Sequence, residues 1–182
     1  MLADEQTFPP MMKIRRRTLM LLALELLLVM AVVFGVNLWR TRESASGVAP
    51  DITAITLEGK MVNLGDYRGE TLLVHFWASW CPVCGFVDNS VDAIAKDYPV
   101  ITVALSSGSD AEIRQHLQEE ELSFDVVNDA DGEISQRWGV VGVPMSFIID
   151  RQGEIRFRDV GYSSAPGLRL RLWIADNFDA QR

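Results

Sequence analysis

From Thr18 to Leu38 the chain reads TLMLLALELLLVMAVVFGVNL, 21 residues with a single charge at Glu25, and no other stretch restricts the fold so strongly. At about 1.5 Å per residue a helix of that length matches a hydrocarbon core of ~30 Å, which predicts one transmembrane helix over residues 18–38. Lys13, Arg15, Arg16 and Arg17 precede it, while only Arg40 and Arg42 follow closely. The positive-inside bias then makes residues 1–17 a cytoplasmic leader, anchors the chain once in the inner membrane and puts the remainder on the extracytoplasmic, periplasmic side. A removable signal peptide is the alternative. It would carry an apolar core of roughly 7 to 15 residues and a clean small-residue cleavage site, whereas this run is longer and leads into Trp39, Arg40 and Arg42. Glu25 costs roughly 2 to 3 kcal/mol in lipid, so it either faces a partner helix, stays protonated, or is a tolerated blemish.

Beyond the run, TRESASGVAP is small, polar and Pro-terminated, so residues 39–50 are expected to be a linker and residues 51–182 one folded domain. Residues 1–39 hold four basic and three acidic side chains, leaving 13 against 22 for residues 40–182, an acidic balance that argues against a nucleic-acid partner. ITAITL and MVNL flank Glu58-Gly59-Lys60 as a hairpin. Thr71–Trp77 is apolar on both faces apart from His75, which predicts a central, doubly covered strand. Phe86, Val87, Val91, Ile94 and Ala95 then fall at helical spacing, and VITVAL gives a second buried strand, parallel to the first. Ser109 and Glu112 form a capping box for a further helix, FDVV a strand and DGEISQRW a short helix. Met145–Ile149 and Ile155–Val160 form a hairpin, and Leu168–Asn177 closes the domain as a helix.

Two cysteines, Cys81 and Cys84, lie two residues apart between the buried strand and its helix. A sulfur at that junction faces unpaired backbone N–H groups at the positive end of the helix dipole, which favours thiolate over thiol. Cys81 is therefore the expected nucleophile, and Cys84, one turn on, the resolving thiol. An inert disulfide fits less well because so short a loop contributes little entropy, and half of a metal site fits less well because the histidines, His75 and His116, fall on a strand and a distant helix. Between the cysteines, Val83 cannot donate a hydrogen bond and Pro82 lacks an N–H, so both residues tune the pair toward a reduction potential between about −270 and −120 mV.

HFWASWCPVC followed by GVPMSFIID resembles the thioredoxin superfamily, and within it the membrane-tethered TlpA-like branch, from about Asp51 to the C-terminus. VVNDADG, GYSS and LRLRLWIA most resemble the tethered thioredoxin-like proteins of suppressor-of-copper-sensitivity operons. The resemblance implies an α/β fold with a central mixed sheet flanked by helices, an inserted helix and strand near Ser109 to Val127, and no cofactor besides the cysteines. It also implies protein thiols and disulfides as substrates, and a membrane electron donor or acceptor of DsbD type. Pro144 matches the family's cis proline, which would present the Val143 backbone to an extended substrate segment beside Trp80. His75 stands six residues before Cys81, where thioredoxin has a buried acid, so it is either a tuning proton carrier or a hydrogen-bonded core residue.

The expected function is a tethered thiol-disulfide oxidoreductase, acting as a reductant. An oxidase of the same fold and a copper-tolerance module are the alternatives. Copper(I) favours Cys and Met, but of the seven methionines only Met61 and Met145 lie outside the leader and the apolar run.

Overall fold

In a computed structural model of the protein, residues 16–40, 42 and 44–178 are described. The expected leader lies outside them except for Arg16 and Arg17, which open helix α1, Arg16–Arg40. Within it Thr18–Val36 has a mean hydropathy of 2.8, long and apolar enough to cross a membrane.

The second unit is a six-stranded mixed sheet with helices around it. Its strands are β1 Gly47–Val48, β4 Leu72–Trp77, β5 Val100–Leu105, β6 Val126–Asp129, β7 Met145–Ile149 and β8 Glu154–Val160, in the order β1-β8-β7-β4-β5-β6. A separate hairpin, β2 Thr53–Ile55 and β3 Met61–Asn63, reaches the far edge through Thr56 opposite Val127. β4, β5 and β6 run parallel, as the intervening helices α2 (Cys84–Ala95) and α3 (Asp110–Glu119) require, while β7 and β8 return antiparallel. α4 (Glu133–Arg137) and α5 (Ala165–Phe178) complete the chain.

Local chemistry accounts for the element ends. Ser109 and Glu112 form the expected capping box on α3. Asp129, at the end of β6, accepts the backbone N–H groups of Ile134 and Ser135 at 3.0 and 2.8 Å, and Gly132 supplies the left-handed turn (φ 76°) that lets the chain double back into α4. The expected linker is shorter than its composition suggested. Ala45 N–H donates to Trp138 O and Ala49 N–H to Gly153 O, each at 2.9 Å, and Gly47 lies opposite Ile155, so residues 44–49 belong to the folded unit. Those bonds are made by the backbone, to which side-chain polarity is blind.

β4 sits at the centre and buries all six of its residues. Alternation sends Leu73 and Trp77 into one core, with Cys84, Val87, Val91 and Ile94 of α2 and Leu168 and Leu172 of α5. Val74 and Phe76 go into the other, with Trp138, Met145 and Phe147.

Candidate active site

The turn between β4 and α2 carries the cysteines. Ala78 O accepts the Cys81 N–H and Cys81 O accepts the Cys84 N–H, each at 3.1 Å, so the helix starts at Cys84 and Cys81 stands just ahead of it. The loop leading to Cys81 is tied to the segment after β5: Ser79 N–H donates to Ser107 Oγ at 3.1 Å, and Trp80 Nε1 to Ser106 O at 3.1 Å.

The two thiols, both free, stand in different surroundings. Cys81 is half-buried, and its Sγ lies 3.5 Å from Val143 O, to which it donates. The Val143–Pro144 peptide bond is cis, as the resemblance implied. Cys84 is 1% exposed and belongs to the core. Burial pushes the Cys84 thiol well above its ordinary value; the hydrogen bond with the Cys81 side chain and the negative charge of Asp88 act in the same direction, while a backbone hydrogen bond at Ala78 opposes them.

His75 is fully buried. Its Nδ1 is 2.9 Å from Ser146 Oγ, directly across the β4–β7 register, and its Nε2 is 3.1 Å from Asp88 Oδ1 on α2. A carboxylate only accepts, so a hydrogen on Nε2 makes the Asp88 contact, while the Ser146 hydroxyl, which can donate or accept, serves Nδ1 in either form of the ring. Asp88 is itself 1% exposed, and its Oδ2 has no hydrogen-bond partner among the described residues. Sequence reasoning singled out His75 but missed Asp88 and Ser146. The signal for Asp88 was its place in the stripe Cys84, Val87, Asp88, Val91, one face of α2, where a carboxylate must be buried.

Other expectations are revised. Phe86 was grouped with the apolar stripe yet is 71% exposed, and Trp80 is 60% exposed with its ring pinned by the bond to Ser106. Trp77 is wholly buried against Phe124 and His116. His116, placed on a distant helix by the sequence, lines one cleft with Cys81, Pro82 and Trp80. Val83 takes the N-cap position of α2 and makes no side-chain cap. Met61 is exposed on the hairpin and Met145 is buried in the core on the opposite side of the sheet, so neither meets the cysteines. Among the described residues no three His, Cys, Asp or Glu side chains are grouped to hold a metal ion.

Comparison with known proteins agrees with this geometry. The sequence profile of the Redoxin family matches residues 44–169. A thioredoxin-like protein of Haemophilus influenzae is 31% identical over 129 residues, 70% of this chain and 77% of the relative. The thiol-disulfide oxidoreductase ResA of Bacillus thuringiensis is 29% identical over 143 residues, covering 71% of this chain and 81% of the relative. Among solved structures, the exposed lipoprotein thioredoxin of Streptococcus pneumoniae superposes with a TM-score of 0.61 at 27% identity, covering 68% of this chain and 98% of its own.

Proposed function

Because the chain belongs to the Redoxin family and is a thiol-disulfide oxidoreductase of thioredoxin-like fold, we propose that Cys81 and Cys84 are its redox pair and that it works as a membrane-tethered reductant of extracytoplasmic protein disulfides. The observation that carries this reading is the contrast between the thiols: one half-buried beside the Val143 carbonyl, the other sealed in the core.

The reaction follows from that contrast. Cys81, as thiolate, attacks one sulfur of a substrate disulfide; that S–S bond breaks, a mixed disulfide forms, and the other substrate sulfur leaves as thiolate. An extended substrate segment lies along Val143 and Pro144 beside Trp80, its backbone bonding where Val143 O now meets the Cys81 sulfur. Cys84 then loses its proton to the unpaired Oδ2 of Asp88, one turn away on the same buried face of α2, and attacks the Cys81 sulfur. The second substrate thiolate departs, and the electron pair has passed from the protein dithiol to the substrate. His75, itself bonded to Ser146, holds Asp88 in place through Oδ1, which leaves Oδ2 to take the proton that neutralises the carboxylate. Pro82 and Val83 tune the pair by what they withhold, a donor for the Cys81 sulfur.

α1 supports tethering, and the pneumococcal neighbour is by its name an exposed lipoprotein. In this reading residues 1–17 stay in the cytoplasm, the catalytic domain faces the periplasm, and a membrane donor of DsbD type returns the electrons, with tethering raising the local concentration of both. The likeness to suppressor-of-copper-sensitivity proteins belongs to the same reading. Two measurements test it. The full chain in detergent should reduce a protein disulfide such as that of insulin, with Cys84→Ser accumulating a mixed disulfide through Cys81; trapping through Cys84 would reverse the roles. Thiol alkylation of acid-quenched cells should find the pair mostly reduced; a fully oxidised pair that persists when membrane reductants are supplied would make the protein an oxidase.

A further inference from the structure

Two large aromatic side chains that share a cleft with Cys81 stand in solvent. Trp80 keeps 60% of its surface exposed although its indole is held by Ser106 O, and Phe86, in the first turn of α2, keeps 71%. Ordinary folding would bury such rings, at about 25 cal/mol for each Å² of apolar surface withdrawn from water. They line an open cleft of about 460 Å³ together with Cys81 and Gly85 and with His116 and Glu120 at the end of α3. His116 is fixed there by stacking on Trp77, with ring centroids 5.5 Å apart and planes at 24°. The Glu120 carboxylate reaches across to α2, since a Cβ on Gly85 would lie 4.0 Å from its Oε2. Among the described residues the Glu120 side chain meets no cation and no hydrogen-bond donor.

We propose that this cleft is a substrate subsite selecting a lysine or arginine next to the cysteine that Cys81 attacks, with Glu120 as the specificity-determining residue. The proposal rests on Cys81 being the attacking thiol. A basic side chain is the one class that suits both the aromatic rings and the carboxylate of this cleft. Its methylene stem covers the rings of Trp80 and Phe86, a guanidinium or ammonium gains from an aromatic face, and its charge reaches Glu120. An apolar residue would satisfy the rings and desolvate Glu120 without a partner, and an acidic one would meet like charge. Gly85 lines the cleft without a side chain, and a Cβ there would come into ordinary contact with Glu120 Oε2 alone, at 4.0 Å.

The test uses the full chain in detergent, reduced, against disulfide-bridged peptides identical except for Lys or Glu beside the attacked cysteine. The wild type should react faster with the Lys peptide by about two- to fivefold, the range an exposed ion pair supplies, and the preference should shrink as salt is raised. Glu120→Gln should bring the ratio close to one, and Glu120→Lys should invert it in favour of the Glu peptide. A ratio near one in the wild type, or a preference that survives both substitutions, overturns the subsite while leaving the redox pair standing. No exchange with either peptide overturns the assignment of Cys81, and the subsite with it.

Discussion

The two faces of the central sheet are made by alternate residues of the same strands, yet they bury different chemistry. On one face Phe76, Trp138 and Phe147 pack as an aromatic triad, with ring centroids 4.9 to 5.7 Å apart in tilted and edge-on contacts. On the other, His75 and Ser146 take the places that core residues would occupy, and Cys84 and Asp88 come down on them from α2. A buried polar atom left unpaired costs about 1 to 3 kcal/mol, so Oδ2 of Asp88 is a destabilising feature that apolar packing would have avoided. The aromatic triad has an unpaired polar atom of its own, Trp138 Nε1, but no group in it gains or loses a proton near neutral pH, whereas Asp88 is a carboxyl set beside the thiols. One face is therefore built for stability and the other for handling protons and sulfur.

Substitutions can break this division, and the largest effect belongs to the reactive face. Cys81→Ser should reduce exchange with a protein disulfide to the uncatalysed background while shifting the unfolding midpoint little, since the side chain is half-buried and its hydroxyl can still donate to Val143 O. Activity that survives would place the nucleophile elsewhere. On the opposite face Phe147→Ala should do the reverse: a stability loss of about 3 to 5 kcal/mol by chemical denaturation, with per-molecule exchange kinetics of the folded protein unchanged. A loss below about 1 kcal/mol would show that the triad is not the stabilising half.

How much of this was legible in the sequence differs by face as well. The element order from the hairpin to α5, the doubly covered β4 and the Ser109–Glu112 capping box all followed from periods and caps that lie within a few residues. The two-residue strand β1 did not, because Gly47 and Val48 have no alternation of their own and pair only once β8 is there to receive them. Asp88 and Ser146 escaped for a related reason. Each sits in an ordinary pattern, and their meaning appears only when β4, β7 and α2, distant in sequence, converge on His75. His116 and Glu120 likewise line the same cleft as Cys81 only in the folded chain, a long-range event that local spacing does not encode. A residue's own chemistry could be read from its motif, but the partners that tune it could not.

A smaller effect sharpens the comparison within the reactive face. Asp88→Asn keeps the size of the side chain and its contact with His75 but removes the acceptor for the Cys84 proton. It should slow resolution of the mixed disulfide by roughly a hundredfold at neutral pH, with the deficit narrowing as pH rises and hydroxide takes over the deprotonation. Attack by Cys81 on a small disulfide should be nearly unaffected, since Asp88 lies on the Cys84 side of the pair. Equal slowing of both steps would make Asp88 a structural residue.

The smallest effect is a pH dependence of stability that the aromatic face has no means of producing. Burial first, then the hydrogen bond with Cys81 and the charge of Asp88, keep Cys84 protonated in the folded, reduced protein far above the pH at which an exposed thiol ionises, about 9.0. In the unfolded chain the same thiol ionises at that ordinary value. Below it both states hold the proton and Cys84 contributes nothing to the slope; above it the folded state holds more protons than the unfolded one, so stability falls as pH rises. The full effect of one such group is about 1.4 kcal/mol per pH unit. Unfolding of the reduced protein followed from pH 8 to about 10 should therefore show a loss of up to that slope above 9.0, over and above the loss shown by Cys84→Ala and by the oxidised protein, in which no Cys84 proton remains to be held. Phe147→Ala should keep the slope and lower only the baseline. If the reduced protein and Cys84→Ala run parallel across this range, Cys84 is not held as a thiol by its surroundings, and the division between a stabilising face and a proton-handling face loses its clearest physical signature.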